Sequence, residues 1–261
     1  MSNAPATPRL PGKVILISGG AGGVGRAASL RFAAEGAKVG IADIQTEAGN
    51  QLVKEIEAMG GQAYFVTTDV SKASQVNAAV EQITEHFGKI DILFNHAGTL
   101  IVKPFLETTE ADWDRLMDIN VKSMFLMSKA VLPSMIAAGK GIVINTSSIS
   151  AATAAPMESL YCITKGAVSQ LTRAIAVEFR DAGIRCNAIS PGFIRTPHGI
   201  REMKECSALG VEFTEADMNQ LQGRFCEPEE VASVAVFLAS DDASFVNGAS
   251  IDVDNTWSAA T

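Results

Sequence analysis

Tyr161 and Lys165, four residues apart in Tyr-Cys-Ile-Thr-Lys, are spaced for acid–base chemistry. On a helix that spacing puts phenol and ammonium on one face. A free phenol titrates near 10, too high for a base at neutral pH. A cation about 5 Å away, at an effective dielectric near 20, favours phenolate by roughly 3 kcal/mol, a little over two pKa units. The same pair on an exposed surface would be worth little, so its neighbours decide its meaning. Ser148, thirteen residues upstream, ends the run Ile-Asn-Thr-Ser-Ser, where a strand would deliver a hydroxyl to a sheet's carboxyl edge. Asn120 falls in a helical apolar stripe with Trp113, Leu116, Met117 and Met124. A core-facing amide must find partners or cost about 1–3 kcal/mol. It either satisfies a backbone carbonyl or holds a buried water for proton exchange, and the pattern leaves both open.

A second cluster lies near the start of the chain. Ser18-Gly-Gly-Ala-Gly-Gly-Val-Gly25-Arg26 joins an apolar run to a helical stretch. Glycines there let backbone amides approach a pyrophosphate, and the helix N-terminus attracts its charge. Arg26 stands where a Walker loop needs Lys-Ser/Thr. Both Gly20-x-Gly22-x-x-Gly25 and Gly19-x-x-x-Gly23-x-Gly25 can be read in the run. Asp43, 18 positions beyond Gly25, ends the second strand, where a carboxylate accepts ribose hydroxyls. That carboxylate would repel a 2′-phosphate, and Ile44-Gln45-Thr46 brings no cation to hold one, which favours NAD over NADP.

The elements that must hold these groups alternate. Buried-strand runs are Val14–Ser18, Val39–Asp43, Ala63–Thr67, Ile90–Asn95, Gly141–Thr146, Ile184–Ile189 and Ala249–Val253. Helical stretches lie near 24–36, 46–59, 72–87, 109–137, 157–181 and 228–239. Alternation of this kind predicts parallel βαβ units. Thr109-x-x-Asp112 reads as a capping box, Pro228 as a first-turn proline, and Gly60 and Gly88 as C-terminal caps. Residues 1–11 read as a disordered tail and 12–261 as one domain. The stretch 192–227 reads as irregular, the usual form of a binding loop or lid.

Composition agrees. The chain has 261 residues, 47% hydrophobic and 6% aromatic, the diet of a close-packed parallel sheet. A net charge of −8 argues against nucleic-acid or anionic-membrane partners, and no apolar run is long enough to span a bilayer. Cys162, Cys186, Cys206 and Cys226 are scattered, and His86, His96 and His198 have no ligand-like spacing. No metal site is expected, and the cysteines read as core residues of a cytoplasmic protein.

Taken together these motifs resemble the short-chain dehydrogenase/reductase family over roughly residues 12 to 254. The resemblance rests on Ser18-Gly19-x-x-x-Gly23-x-Gly25, Asp69-Val70, Asn95-His96-Ala97-Gly98, Asn120, Ser148, Tyr161-x-x-x-Lys165 and Pro191-Gly192-Phe-Ile194-Arg-Thr196. It assigns the glycine register to Gly19, Gly23 and Gly25. It implies an α/β Rossmann-type doubly wound sheet of about seven parallel strands with helices on both faces, and a homotetramer. The cofactor contacts it implies are Gly19, Gly22, Gly23, Val24, Gly25, Asp43 and Ile44 around the turn, and Asp69 and Val70 at the adenine. Asn95, Ala97 and Gly98 fall near a ribose, and Pro191, Gly192, Ile194 and Thr196 by the carboxamide; Tyr161 and Lys165 also touch cofactor. The implied reaction is NAD-dependent interconversion of a secondary alcohol and a ketone by an Asn120-Ser148-Tyr161-Lys165 tetrad. Three residues depart from the family pattern: Ser18 for Thr, His96 for the second Asn of N-N-A-G, and Asp254-Asn255-Thr256 for Asp-Gly-Gly.

The expected partner is a small alcohol or ketone. Ser150, Met157, Phe193 and His198 are the candidate substrate contacts, with Ala152, Ala154, Met203, Leu209, Phe213 and Met218 as further walls of a mostly apolar site. Lid packing explains the Met and aromatic set equally well. Glu158 reads as solvent-facing. A methyltransferase would share the glycine turn and Asp43 but needs no Tyr161, Lys165 and Ser148 together, and a non-catalytic dinucleotide sensor would not need the tetrad.

Overall fold

In the computed structural model, residues 7–211 and 214–260 are described. Seven strands alternate with helices in chain order: β1 (Val14–Ser18), α1 (Gly23–Ala34), β2 (Lys38–Asp43), α2 (Thr46–Ala58), β3 (Gln62–Thr67), α3 (Ala73–Phe87) and β4 (Ile92–Asn95) come first. They are followed by α4 (Glu110–Met117), α5 (Ser123–Ala137), β5 (Gly141–Thr146), α6 (Ser159–Phe179), β6 (Ile184–Pro191), α7 (Pro197–Ala208), α8 (Glu215–Gln222), α9 (Pro228–Ala239) and β7 (Ser250–Val253). All pairings are parallel, in the order β3-β2-β1-β4-β5-β6-β7. The chain therefore reverses its direction across the sheet between β1 and β4. In such sheets a crevice opens there at the carboxyl ends.

The strand runs are apolar throughout because both faces are covered. Along β1, Ile15 and Ile17 pack with Ala28, Phe32, Val231 and Ala235 of α1 and α9. Val14 and Leu16 face Val76, Ile83, Met127, Val131 and Ile175 of α3, α5 and α6. Register then brings Ser18 beside Asn95 and Asn95 beside Asn145, so the carboxyl ends of β1, β4 and β5 lie level. Buried hydrogen bonds from Asn95 Nδ2 to Asn145 Oδ1 (2.9 Å) and from Asn145 Nδ2 to Thr172 Oγ1 (2.9 Å) fasten this row to α6. Such pairs specify register, since a slipped strand would leave buried amides unpaired.

Several expectations need correction. Residues 192–227 are not irregular: they carry α7 and α8. Thr196 caps α7, and a reciprocal capping box between Thr214 and Asp217 starts α8. The described part of the predicted tail is packed, with Leu10 buried in the core and Arg9 paired to Glu35 at 2.6 Å; residues 1–6 lie outside the described residues. The helix read over 109–137 does start with the Thr109 capping box, but a π-helical turn at Asp118–Lys122 separates α4 from α5. Trp113, assigned to the core stripe, is 42% exposed, whereas Leu116, Asn120 and Met124 are buried. Gly60 and Gly88 follow α2 and α3 with positive φ, and Pro228 opens α9.

Gly25 is where α1 passes over the turn that follows β1. A Cβ there would lie 1.9 Å from the Gly19 carbonyl oxygen, and backbone cannot swing aside as a side chain would. Gly25→Ala should force the turn and helix apart, costing about 1–3 kcal/mol. The expected result is a thermal midpoint lower by roughly 2–10 °C, read by calorimetry beside the wild type.

Candidate active site

The glycine turn leaves an open cradle. Gly19 and Gly23 have φ of +68° and +48°, conformations that side chains rarely adopt. Gly22 is the N-cap of α1 and carries no side chain to bond the helix's first amides, which therefore stay available to an anion. Val24 and Gly25 are buried beneath. Asp43 closes one side of the cradle: Oδ2 accepts from the Ala21 amide and Oδ1 from the Gln45 amide, both at 3.0 Å. Each oxygen keeps a lone pair for a further donor. Ile44 beside it is 68% exposed. On the far side a Cβ at Gly23 would meet Thr196 Cγ2 at 3.4 Å, so the segment after β6 reaches back over the turn.

The end of β4 is built to hold the turn in place. Ser18 Oγ accepts from the amides of His96 (3.1 Å) and Ala97 (3.2 Å), so Ser performs here what a Thr hydroxyl would. His96 bonds Thr146 Oγ1 through Nδ1 at 3.0 Å, and burial holds its ring neutral, with a pKa down to about 3. The Asn95 side chain is fully buried, its amide nitrogen engaged by Ser128 and Asn145. Contact between Asn95 and a ribose would therefore come from its main chain. Asp69 accepts from the Ser71 amide and hydroxyl, which holds its carboxyl below the usual range, and Val70 is buried next to it.

At the carboxyl edge, α6 carries Tyr161 and Lys165. Lys165 is buried, donates from Nζ to the Thr146 carbonyl at 2.9 Å, and lies 5.4 Å from the Tyr161 ring centroid. Burial lowers its pKa to about 8. Ser148, two residues beyond β5, is buried, accepts from the Ser150 amide at 3.1 Å and lies close enough to the Tyr161 phenol to favour its ionised form. Burial raises the phenol's pKa above 10, and the carboxyl of Glu202 adds to the rise more than Glu158 does. The Lys165 ammonium, 5.4 Å from the ring, does not offset that burial.

Asn120 takes one of the two roles left open for it. Its Oδ1 accepts from the Thr99 amide (2.8 Å), and Nδ2 donates to the Thr99 carbonyl (2.8 Å) and Thr164 Oγ1 (3.0 Å). Both N–H groups are thus used up clamping the loop after β4 to α6, at the π-helical turn that interrupts the α-helical ladder.

The candidate substrate contacts divide. His198, at the start of α7, is half-buried, and burial, Arg201 and then Lys165 lower its pKa to about 4, so it looks onto the lysine as a neutral ring. Met157 precedes α6 with φ +67° and accepts from the Lys103 amide at 2.7 Å; Ser150 lies in the short turn after Ser148. Phe193 does not face the cleft: it is buried with Met218 and Phe225, against Met203 and Trp257, in a small core beneath α7 and α8. Packing, rather than a substrate, accounts for that set. Leu209 is exposed, and Phe213 lies outside the described residues. Gly192 is pressed against Gln222, whose side chain bonds both the amide and the carbonyl of Phe193. Pro191, Gly192 and Ile194 therefore join β6 to the α7–α8 segment, with Ile194 bridged to Cys226.

Glu158 is not at the surface; it is 5% exposed, one turn ahead of Tyr161. Glu202 of α7 meets it carboxyl to carboxyl. Glu158 was expected in solvent and Glu202 carried no signal at all, because the contact depends on a helix, α7, where no element was expected. Among the described residues no group of three or more His, Cys, Asp or Glu could hold a metal, and no helix is long and apolar enough to cross a membrane.

Residues 19–257 match a family model described as Enoyl-(Acyl carrier protein) reductase. The chain is 40% identical to dehydrogenase/reductase SDR family member 6 of Aquarana catesbeiana, over 96% of this chain and 99% of that one. It is 38% identical to the cyclopentanol dehydrogenase of Comamonas sp. (strain NCIMB 9872), with the same coverage, and 38% identical to the cyclohexanol dehydrogenase of Acinetobacter sp. (strain SE19), over 94% of each chain. The crystal structure of levodione reductase superposes with a TM-score of 0.92 at 36% identity, covering 97% of this chain and 100% of that one. On these matches the chain belongs to the short-chain dehydrogenase/reductase family of oxidoreductases, which work with nicotinamide cofactors.

Proposed function

We propose that the protein is an NAD-dependent dehydrogenase that interconverts a small secondary alcohol and its ketone, with Tyr161 as general acid/base. The observation that carries this reading is the meeting of Tyr161, Ser148 and Lys165 at the carboxyl edge, beside an open cradle closed by an acidic residue. That relatives are named for cyclopentanol and cyclohexanol supports a carbinol as the reacting group.

The cradle fits a dinucleotide: free first-turn amides of α1 for the pyrophosphate, both oxygens of Asp43 for the adenosine ribose, and Asp69 and Val70 for the adenine. Asn95 and Gly98 are assigned to the ribose nearer the adenine, Lys165 to the nicotinamide ribose, and Ile194 and Thr196 to the carboxamide. When bound, the oxidised nicotinamide accepts the hydride and brings positive charge next to the phenol. Ser148 holds the substrate oxygen by its hydroxyl while Tyr161 Oη takes the carbinol proton in oxidation, or returns it in reduction. Lys165 steadies the developing phenolate as positive charge about 5 Å from the ring. Because both N–H groups of the Asn120 amide are used by Thr99 and Thr164, its part is to fix the loop, and a proton-relay water would rest on main-chain atoms at the π-helical turn or on the remaining lone pair of Oδ1.

We further assign residues 12–261 to one domain, and we place the chain in the cytoplasm, where its four free cysteines suit a reducing compartment. The outward faces of α5 and α6 expose Phe125, Ile136, Ile163 and Val177, which we read as the faces through which a homotetramer forms. Charging them in a Phe125→Glu/Val177→Glu double variant should shift the sedimentation profile to smaller species. An unchanged profile assigns assembly elsewhere.

Tyr161→Phe removes only the titrating hydroxyl. Turnover should fall by about 10²–10⁴-fold while NAD binding, followed by fluorescence titration, stays near wild type. Normal turnover in that variant would dismiss Tyr161 as the base. Asp43 should make kcat/KM for NAD exceed that for NADP by about 10²–10³-fold, since a 2′-phosphate loses an acceptor and meets a like charge. Asp43→Ser should narrow the gap, measured for both cofactors at fixed ionic strength. A wild type that used both equally would place Asp43 outside cofactor discrimination.

A further inference from the structure

Past β7, residues 254–258 form a turn against the small core of Phe193, Met218 and Phe225, and its backbone is unusual. Asn255 and Thr256 have φ of +45° and +79°. Asn tolerates that region, but for a β-branched Thr it is a true outlier. Such conformations persist only where the surrounding contacts over-determine them. Here those contacts are identifiable. Asp254 is buried, its Oδ1 accepting from the Thr256 amide at 3.2 Å and its Oδ2 from the Ser258 amide at 2.7 Å. Trp257 packs against the core itself.

From this turn a chain of hydrogen bonds runs to the segment after β6. Asn255 Nδ2 donates to the Gln222 carbonyl at 2.8 Å. That carbonyl belongs to the last turn of α8, where no amide further along the helix can reach it, so Asn255 caps α8 from outside. The Gln222 side chain, 2% exposed, accepts from the Phe193 amide at 2.9 Å. It also donates to the carbonyls of Phe193 (2.7 Å) and Arg224 (2.8 Å), which uses both its N–H groups. Alongside, the Gly192 amide donates to the Val253 carbonyl at 3.1 Å. A Cβ at Gly192 would overlap Gln222 Oε1 and approach Asp254 Cβ at 3.1 Å, and one at Gly223 would approach Asn255 Nδ2 at 3.0 Å. The fit is tight at each step.

We propose that Asn255 is a positioning residue for the nicotinamide end of the cofactor, acting through Gln222 and Phe193 on Ile194 and Thr196. The proposal rests on the assignment of Ile194 and Thr196 to the carboxamide. Phe193 directly precedes Ile194, so the carboxamide segment is held from both sides, by Gln222 on Phe193 and by the bond of Thr196 Oγ1 to the Gly199 amide (3.1 Å). Asn255 touches neither cofactor nor substrate. It acts at two removes, on main-chain groups whose placement decides whether the carboxamide meets its partners in register. A glycine at 255 would adopt the same φ freely and offer Gln222 no donor, which makes the two contributions separable.

The test is calorimetric titration of NAD, and of ADP-ribose, which lacks the nicotinamide, into wild type, Asn255→Gly and Asn255→Asp. Asn255→Gly relieves the backbone as it removes the donor and should melt near the wild-type temperature. Asn255→Asp keeps the size, but a carboxylate has no proton to donate to the Gln222 carbonyl. In both variants NAD should bind about 3–10-fold more weakly, the worth of one hydrogen bond, while ADP-ribose binds as in wild type. A general loosening of the fold would weaken both ligands alike. That result, or wild-type NAD affinity in Asn255→Asp, would overturn the proposal.

A cofactor-free readout follows the segment itself. The Phe193 amide is held by Gln222 Oε1, so its hydrogen exchange reports the last link of the chain. Without ligand, Asn255→Gly should exchange this amide about 3–10-fold faster than wild type, while the amides of β1 remain as slow as before. Unchanged exchange at Phe193 would mean that Asn255 does not hold Gln222 in place, and overturns the proposal whatever NAD does. If wild type binds NAD no more tightly than ADP-ribose, the carboxamide assignment of Ile194 and Thr196 is what fails. Exchange at Phe193 then decides alone whether Asn255 positions the segment.

Discussion

The bond from Lys165 Nζ to the Thr146 carbonyl is the interaction on which the site's geometry hangs. It fastens α6, which bears Tyr161, to the end of β5, which leads into Ser148. It works with the bonds of Ser147 to the Lys165 carbonyl and Ser169 to hold the phenol and the hydroxyl in one register. An ammonium this deep is expensive, as its pKa of about 8 reflects, and a hydrogen bond to a charged donor returns about 1.5–3 kcal/mol. The Asn145–Thr172 bond fastens the same two elements one layer further down. Helix and strand are thereby joined at two depths, and the catalytic pair inherits the stiffness of the sheet.

Much of this was legible in the sequence because it was local. Strand runs such as Val14–Ser18 and Gly141–Thr146 came out with their true ends, since a parallel strand covered on both faces is apolar along its whole length. The Thr109 capping box and Pro228 are signals written within four residues. The Tyr161–Lys165 face followed from helix geometry alone. Other features are decided by contacts that no short window contains. The amphipathic α7 and the mostly polar α8 bury few apolar residues, and their caps were masked by the Pro, Gly and charged residues around them, so the stretch read as loop. Trp113 fits a helical stripe, but α4 is short and polar and leaves it half in solvent.

The ionisation of the site was the least legible part. From sequence, a lysine four residues away is an argument for a low phenol pKa. In the folded chain burial dominates, the lysine is engaged by a carbonyl, and an acid from α7 works in the opposite direction. Burial thus sets the sign of the shift, and Glu202, 41 positions from Tyr161, adds to it. The site is poised by what binds to it more than by its own residues.

The small core beneath α7 and α8 has a consequence for how the cleft is covered. Phe193, Met218 and Phe225 pack on one another, Gln222 bonds both main-chain groups of Phe193, and the Ile194–Cys226 bridge closes the segment at its root. A cover assembled in this way keeps its internal order whether or not anything lies under it. The segment's two ends, at Gly192 and near Glu227, are brought together by the Ile194–Cys226 bridge. The conformational entropy of its helices is lost once, when the chain folds, and does not recur with each molecule of substrate.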